Sequence, residues 1–210
     1  MGAILQKPIV FSGLRTIGVT DPDDDSDLVR SADILPDIAV DPNSGQLYTV
    51  WQDSRFGRGK YDSIALSTST NGGLIWSQPT KVNRTPSNIR PANRQAFTPS
   101  VDVATDGTVS VTYYDFRNNT TNPNTLPTGY WAVHCHPSRM GDCSGAKDYG
   151  TEIELTNGSF DLERAPVSAG RGYFLGDYEG LANAGAEFTP LFSRTEGADP
   201  ANVFFRRFGP

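Results

Sequence analysis

The residue types that most often carry metal, redox or nucleophilic chemistry are scarce in this 210-residue chain, which has two cysteines, two histidines and two methionines. A multi-thiolate metal cluster therefore has few ligands to draw on. There is no run of Lys/Arg, and the formal net charge is -6, which argues against a general nucleic-acid binder. No apolar stretch approaches the ~20 residues of a membrane-spanning helix. The opening, Met1 to Phe11, has Gln6 and Lys7 where a secretion signal needs an unbroken apolar core. Either the chain is made without a signal or it is cut from something longer. What is abundant is turn and strand material: 21 Gly, 15 Pro and 10% aromatic residues within 37% hydrophobic residues. That mixture argues against a helical bundle and for an all-β chain of many strands joined by tight turns.

The cysteines, Cys135 and Cys143, lie in the stretches His134-Cys135-His136-Pro137 and Gly141-Asp142-Cys143-Ser144-Gly145. Three readings stand: a local disulfide clamping a hairpin, free thiols, or a metal site that includes the two imidazoles. On a strand His134 and His136 share one face and Cys135 points to the other, and the cysteine spacing is wider than that of a zinc knuckle. Both points weigh towards the disulfide, which implies an oxidising compartment. The acidic stretch Asp21-Pro22-Asp23-Asp24-Asp25-Ser26-Asp27 offers alternating carboxylates at Asp21, Asp23, Asp25 and Asp27. It is not an EF-hand. A loop starting at Asp21 puts Ser26 and Ala32 where glycine and glutamate are needed, and one starting at Asp23 puts Leu28 and Ile34 there. It reads as a solvated loop or as a calcium loop of another kind; no other cofactor is implied.

Two stretches repeat. Residues 36–55 run from Pro36-Asp37-Ile38-Ala39-Val40 through Asn43-Ser44-Gly45 to Val50-Trp51-Gln52-Asp53-Ser54-Arg55. Residues 99–117 run from Pro99-Ser100-Val101-Asp102-Val103 through Asp106-Gly107 to Tyr113-Tyr114-Asp115-Phe116-Arg117. Each is a strand, a hairpin turn signal, a second strand and then Asp-x-Arg. The first unit continues with strands at Asp62–Thr68 and Gln78–Asn83, the second with strands at Tyr130–Cys135 and Glu152–Thr156. Four strands per unit at a period of about 60 residues point to propeller blades. A third unit begins at Phe174, with Phe188–Phe192 and Asn202–Phe208 as strands and Arg194-Thr195-Glu196 in place of Asp-x-Arg, its charges reversed. Lys7-Pro8-Ile9-Val10-Phe11 matches the fourth-strand pattern of Gln78-Pro79-Thr80-Lys81-Val82. The expected blades are 34–95, 96–170 and 171–210, with 1–20 giving a strand of a preceding or closing blade.

The stretch Ser69-x-Asn71-x-Gly73-x-x-Trp76 resembles the Asp-box, or BNR repeat, with Asn71 in place of the usual Asp. Short polar side chains there hold a hairpin turn through backbone hydrogen bonds. Ile34-Leu35-Pro36-Asp37-Ile38-Ala39-Val40-Asp41 and Phe174-Leu175-Gly176-Asp177-Tyr178-Glu179-Gly180-Leu181-Ala182 resemble bacterial exo-α-sialidase-like proteins. The resemblance to the sialidase superfamily covers the chain from about residue 34 onward. It implies a six-bladed sialidase-like β-propeller, which at about 60 residues per blade needs roughly 360 residues; this chain would supply about three blades of it. It also implies a glycoside hydrolase acting on the terminal glycosidic bonds of sialoglycans, outside the cell or in the periplasm. Such enzymes use an arginine triad, a Tyr nucleophile assisted by Glu, and an Asp acid/base. The family's Phe/Tyr-Arg-Ile-Pro motif is absent from this chain.

Propeller topology puts the loops after second strands on the same face as the entries to first strands. That face should hold Asp53 with Arg55 and Asp115 with Arg117, as ligand contacts or as structural ion pairs repeated with the blade. It should also hold Asp37 and the group Asp177, Tyr178 and Glu179, which are the catalytic candidates. Arginine suits a charged sugar because it binds carboxylates in bidentate fashion. The expected partner is a glycan or glycoprotein, with self-association through open sheet edges. The alternative to hydrolysis is a non-catalytic glycan- or protein-binding propeller.

Overall fold

The computed structural model describes residues 7–137, 143–150 and 152–209. They form a partial β-propeller. The first blade is an antiparallel sheet of β3 (Asp37–Val40), β4 (Leu47–Asp53), β5 (Ser63–Ser69) and β6 (Thr80–Lys81), in that order. The second is β7 (Ala96–Val103), β8 (Val109–Asp115), β9 (Pro127–Cys135) and β10 (Glu152–Glu154), with β11 (Phe160–Asp161) pairing the start of β9. The third is β14 (Gly180–Ala184), β15 (Glu187–Glu196) and β16 (Asp199–Phe205). A fourth small sheet joins β1 (Val19–Thr20), β2 (Leu28–Arg30), β13 (Gly172–Phe174) and β12 (Val167–Ser168), and its central β2–β13 pair is parallel.

The turns form where the sequence places short polar residues and glycine. Asp41 accepts the Asn43 N–H at 2.9 Å, and Gly45 closes the turn at φ 73°. Asp106 accepts the Thr108 N–H at 2.9 Å beside Gly107 at φ 83°. In the turn after β5, Ser69 Oγ accepts the Gly73 N–H at 3.0 Å, Asn71 Oδ1 accepts the Ile75 N–H at 2.9 Å, and Trp76 Nε1 donates to the Gly73 carbonyl at 3.0 Å. These local bonds satisfy backbone donors that the β5–β6 ladder does not reach. Cys135 and Cys143 are joined by a disulfide with Cα atoms 5.8 Å apart.

Strand alternation sets the core. Tyr48, Val50, Ile64 and Leu66 of the first blade pack against Val101, Val111 and Val133 of the second. The other face of the second blade, with Tyr114, Tyr130 and Ala132, packs against Phe188 and Phe192 of the third. Val19 and Val29 of the small sheet join this second core. Gly172, at φ 86°, lies so close to the Leu28 carbonyl that any Cβ there would collide with backbone. The small sheet therefore depends on glycine at that position.

Two expectations need correction. The fourth-strand pattern at Lys7–Phe11 does not form a strand. Instead Phe11 stacks on Trp76 at 4.5 Å and meets Trp51 edge-on at 6.1 Å, so the segment lies against the first blade. Nor do the four aspartates of the acidic loop gather around a cation. Among the described residues no group of three or more His, Cys, Asp or Glu side chains is arranged to hold a metal ion. Asp21 caps the Asp23 N–H at 2.8 Å, Asp24 caps the Ser26 N–H at 3.0 Å, and Asp23 pairs with Arg90 at 2.6 Å. These carboxylates serve their own turns, Arg90 and the Asn119 amide, and Asp24 is held below the usual carboxylate range by the Ser26 hydroxyl and N–H.

Candidate functional site

The Asp-x-Arg segments follow their strands directly. Asp53 is fully buried; it accepts the Trp51 indole N–H at 2.8 Å, the Arg55 backbone N–H at 2.9 Å and the Arg55 Nε at 2.8 Å. Arg55 also donates to Ser12 Oγ and the Gly13 carbonyl. Asp115 is equally buried and binds Arg117 Nε at 2.8 Å and the Thr85 hydroxyl at 2.6 Å. Arg117 reaches on to Glu152 at 2.8 Å and lies 3.8 Å over the Trp131 ring. Burial pushes the Asp115 carboxyl up despite its partners. For Arg117 burial works against the charge, but hydrogen bonds to Glu152 and Asp115 outweigh it and raise its pKa. In the third blade the reversed pair is also made, with Arg194 donating to Glu196 at 2.8 Å. These ion pairs tie strand ends to neighbouring segments, and neither Arg55 nor Arg117 lines the cleft described next.

That cleft, of about 560 Å³, opens where the small sheet meets the entry to the first blade. Its walls come from Ile17–Val19, Leu28–Leu35, Gly170, Arg171 and Asp177. Arg30 donates Nε to Asp177 Oδ1 at 2.8 Å, forms a second bond to Oδ2 and stacks 4.3 Å from the centre of the Phe174 ring. A recess of about 100 Å³ shares Ser31, Ala32, Leu35 and Asp177 with the cleft and adds Asp37, Thr98, Ser100, Tyr178 and Glu179. The four catalytic candidates, which come from two blades, thus face one recess.

The recess is tightly braced. Asp37 accepts Ser100 Oγ at 2.8 Å and the Val101 N–H at 2.9 Å. Ser100 Oγ also lies 2.9 Å from the Glu179 carbonyl. Glu179 accepts the Tyr114 hydroxyl at 2.9 Å, and its carboxyl is pushed up to about 8 by burial, only partly offset by that bond. Tyr178 is exposed at the rim. Thr98 and Ala32 hold left-handed backbone at φ 47° and 50°. Thr98 sits at the register shift of β7, where its N–H bonds to Gln52 Oε1 at 3.0 Å and its hydroxyl to the Ser31 carbonyl at 3.1 Å. Two side-chain-bearing residues in this strained region cost on the order of 1–3 kcal/mol each. At the cleft's edge the Thr16 hydroxyl lies 3.0 Å from Asp33 Oδ2 and 2.6 Å from Asp62 Oδ2. Burial raises the Asp62 pKa, with Asp33 adding to it. A proton on Asp62 relieves the competition for one hydroxyl hydrogen.

Sequence reasoning missed Arg30, Thr98 and the Thr16–Asp62 contact. Arg30 follows Leu28 and Val29 directly, and no local pattern marks its partner 147 residues away. Only the topology brings them together. His134 and His136 lie edge to face at 5.7 Å, and His136 Nδ1 is 2.7 Å from the Thr108 hydroxyl. Burial lowers the His134 pKa.

No protein-family model matches the chain, and no curated protein matches it. Solved structures do. A Hadza microbial sialidase superposes with a TM-score of 0.50 at 16% identity, over 81% of this chain and 34% of its own. An α-L-arabinanase of Penicillium chrysogenum gives 0.49 at 14% identity, over 93% of this chain and 50% of its own. An endo-arabinase from Bacteroides thetaiotaomicron gives 0.48 at 14% identity, over 83% of this chain and 55% of its own. The chain thus spans about a third of the sialidase and about half of the other two. At these identities the likeness speaks to fold. This chain has the β-propeller fold that glycoside hydrolases use.

Proposed function

We propose that this chain forms part of a glycan-directed propeller of the glycoside hydrolase kind, working at a terminal sugar, with sialylated glycans the first ligands to test. The observation that carries the reading is the convergence of Asp37, Asp177 and Glu179 on one recess, with Glu179 kept protonated to about pH 8. Glycosidic cleavage needs one carboxyl that gives a proton to the leaving oxygen and a second that stays ionised. Glu179 suits the first role by its buried surroundings. Asp37, held in place by Ser100 and Val101, is the carboxylate that faces Glu179's recess from the first blade. Arg30 and the exposed Tyr178 ring would orient the sugar at the rim.

The second reading, a non-catalytic glycan- or protein-binding propeller, has its own support. Arg30, Arg55 and Arg117 are each committed to a carboxylate of this chain. Release of a fluorophore from a sialoside or an arabinoside, abolished in Glu179→Gln, supports hydrolysis. No turnover on either, with glycan-array binding that Tyr178→Ala removes, supports the binding module. Absence of both turnover and glycan binding refutes hydrolysis and glycan recognition and leaves only a protein-binding propeller.

A further inference from the structure

The segment that leaves β6 borders a recess of about 390 Å³, between the outer edge of the first blade and the loop that holds Ala146. It shares no lining residue with the cleft or with the recess around Glu179. Its backbone is pinned from several sides. Asn83 Oδ1 accepts the Ile64 N–H at 2.9 Å, Asn83 Nδ2 donates to Thr85 Oγ1 at 2.8 Å, and the Thr85 hydroxyl donates to Asp115 at 2.6 Å. The Arg84 N–H donates to the Tyr113 hydroxyl at 2.9 Å. The side chains of Asn83 and Thr85 are thereby committed within the chain. Those of Lys81, Arg84 and Ser87 keep donors to offer.

Among the described residues no carboxylate lines this recess, although the chain as a whole carries a net charge of -6. Lys81 is half-buried there and, among the described residues, has neither a hydrogen bond nor an ion pair. Burial lowers its pKa and Arg94 adds to that, with Asp115 and Glu152 opposing. Those two carboxylates bond to Arg117 instead, each at 2.8 Å. A cation withdrawn from water is normally paired, so the Lys81 ammonium lacks an anion. Arg84 is arranged to help hold one. Its Nη1 donates to the Tyr149 carbonyl at 2.7 Å, which fixes the guanidinium. The Nε–Nη2 edge is left without a partner among the described residues. Arg30 grips Asp177 with that same edge, and Arg117 grips Asp115 with it. It matches two oxygens of one anionic group. We propose that this recess binds an oxyanion, the chemistry shared by sulfate, phosphate and carboxylate groups. Arg84 would make the bidentate contact, Lys81 would supply the countercharge, and the exposed Ser87 hydroxyl would add a further donor.

The probe is inorganic sulfate, titrated into the full chain by calorimetry, with chloride exchanged so that ionic strength stays constant. Binding is expected, and it should weaken roughly tenfold in Lys81→Met and in Arg84→Gln, the loss of one charge-assisted contact. Lys81→Arg, which keeps the charge, should restore most of it. In the unaltered chain, sulfate should slow acetylation of Lys81, read by mass spectrometry, and leave that of Lys7 and Lys147 as it was. These readouts need no turnover, so they stand apart from the hydrolysis reading. A sulfated oligosaccharide that binds more tightly than free sulfate, and loses that margin in Arg84→Gln, identifies the source as an acidic polymer. Equal affinity identifies a free ion, and both results uphold the site. Three results overturn it: sulfate uptake no stronger than that of chloride, uptake unchanged in Lys81→Met and Arg84→Gln, or acetylation of Lys81 indifferent to sulfate.

Discussion

Replacing Glu179 by Gln should make the protein more stable in alkaline solution while leaving it nearly unchanged in acid. The Glu179 carboxyl is raised from an ordinary 4.5 to about 8, first by burial. A folded-state pKa above the unfolded one gives a contribution that is full below about pH 4.5 and is lost as pH rises through about 8. Between those limits the folded chain holds close to one proton more than the unfolded chain at this site. Stability then falls by up to about 1.4 kcal/mol per pH unit. From pH 5 to 8 the loss sums to roughly 3–4 kcal/mol. For a chain of this size that is on the order of 10 °C in Tm. Glutamine has nearly the same shape, cannot ionise, and still offers an oxygen to the Tyr114 hydroxyl. Thermal unfolding of both proteins from pH 5 to 9 should give curves that nearly meet at the acid end and diverge steadily above it, with the variant on top. Other groups that titrate in this range are common to both chains and cancel in the difference. Curves that stay parallel across the range would refute the argument that burial keeps this carboxyl protonated.

Other outcomes follow from the same packing. Gly172→Ala should detach β13 from β2, because its Cβ meets the Leu28 carbonyl; ligand binding at the Arg30 cleft should fall at least tenfold while circular dichroism of the blades is retained. Arg117→Ala strands Asp115 and Glu152 without their cation and should cost about 3–5 kcal/mol in denaturant unfolding, with no effect on ligand affinity beyond that instability. The Cys135→Ser, Cys143→Ser double variant opens a loop of sequence separation 8 and should lose about 2–3 kcal/mol.

The blades were legible because their signals are local. Asp-Gly and Asn-Ser-Gly turns, alternating β-branched and aromatic strands, and a repeat near 60 residues together specify β3 to β10. The third blade was legible as far as its strands, because Phe188 to Phe192 keeps the parity of Tyr113. The cleft was half legible. Asp37 and Asp177 to Glu179 follow from topology, since entries to first strands share a face. Arg30 does not, because β2 belongs to no blade and its partner strand lies far along the chain. The Lys7–Phe11 match misled because a pattern of Pro and β-branched residues reports extended backbone, not a partner to bond with. The reversed Arg194–Glu196 pair is made as well, but on an exposed glutamate, where Asp53 and Asp115 are buried and accept the backbone N–H of Arg55 and Arg117.

The parallel pairing of β2 with β13 has a consequence for how the molecule comes into being. It joins Val29 to Tyr173 and Arg30 to Phe174, and the whole of the first and second blades lies between them in the chain. Hairpins within a blade close short loops and form early, whereas this contact closes a loop that contains the first two blades and forms after them. The cleft is then the last part to assemble and the first to open when the chain breathes. Amide exchange at Val29 and Tyr173 should run well ahead of exchange at Val111 and Val133. A ligand bound there would act as a late-stage clasp, slowing unfolding by holding together two segments that are far apart in the chain.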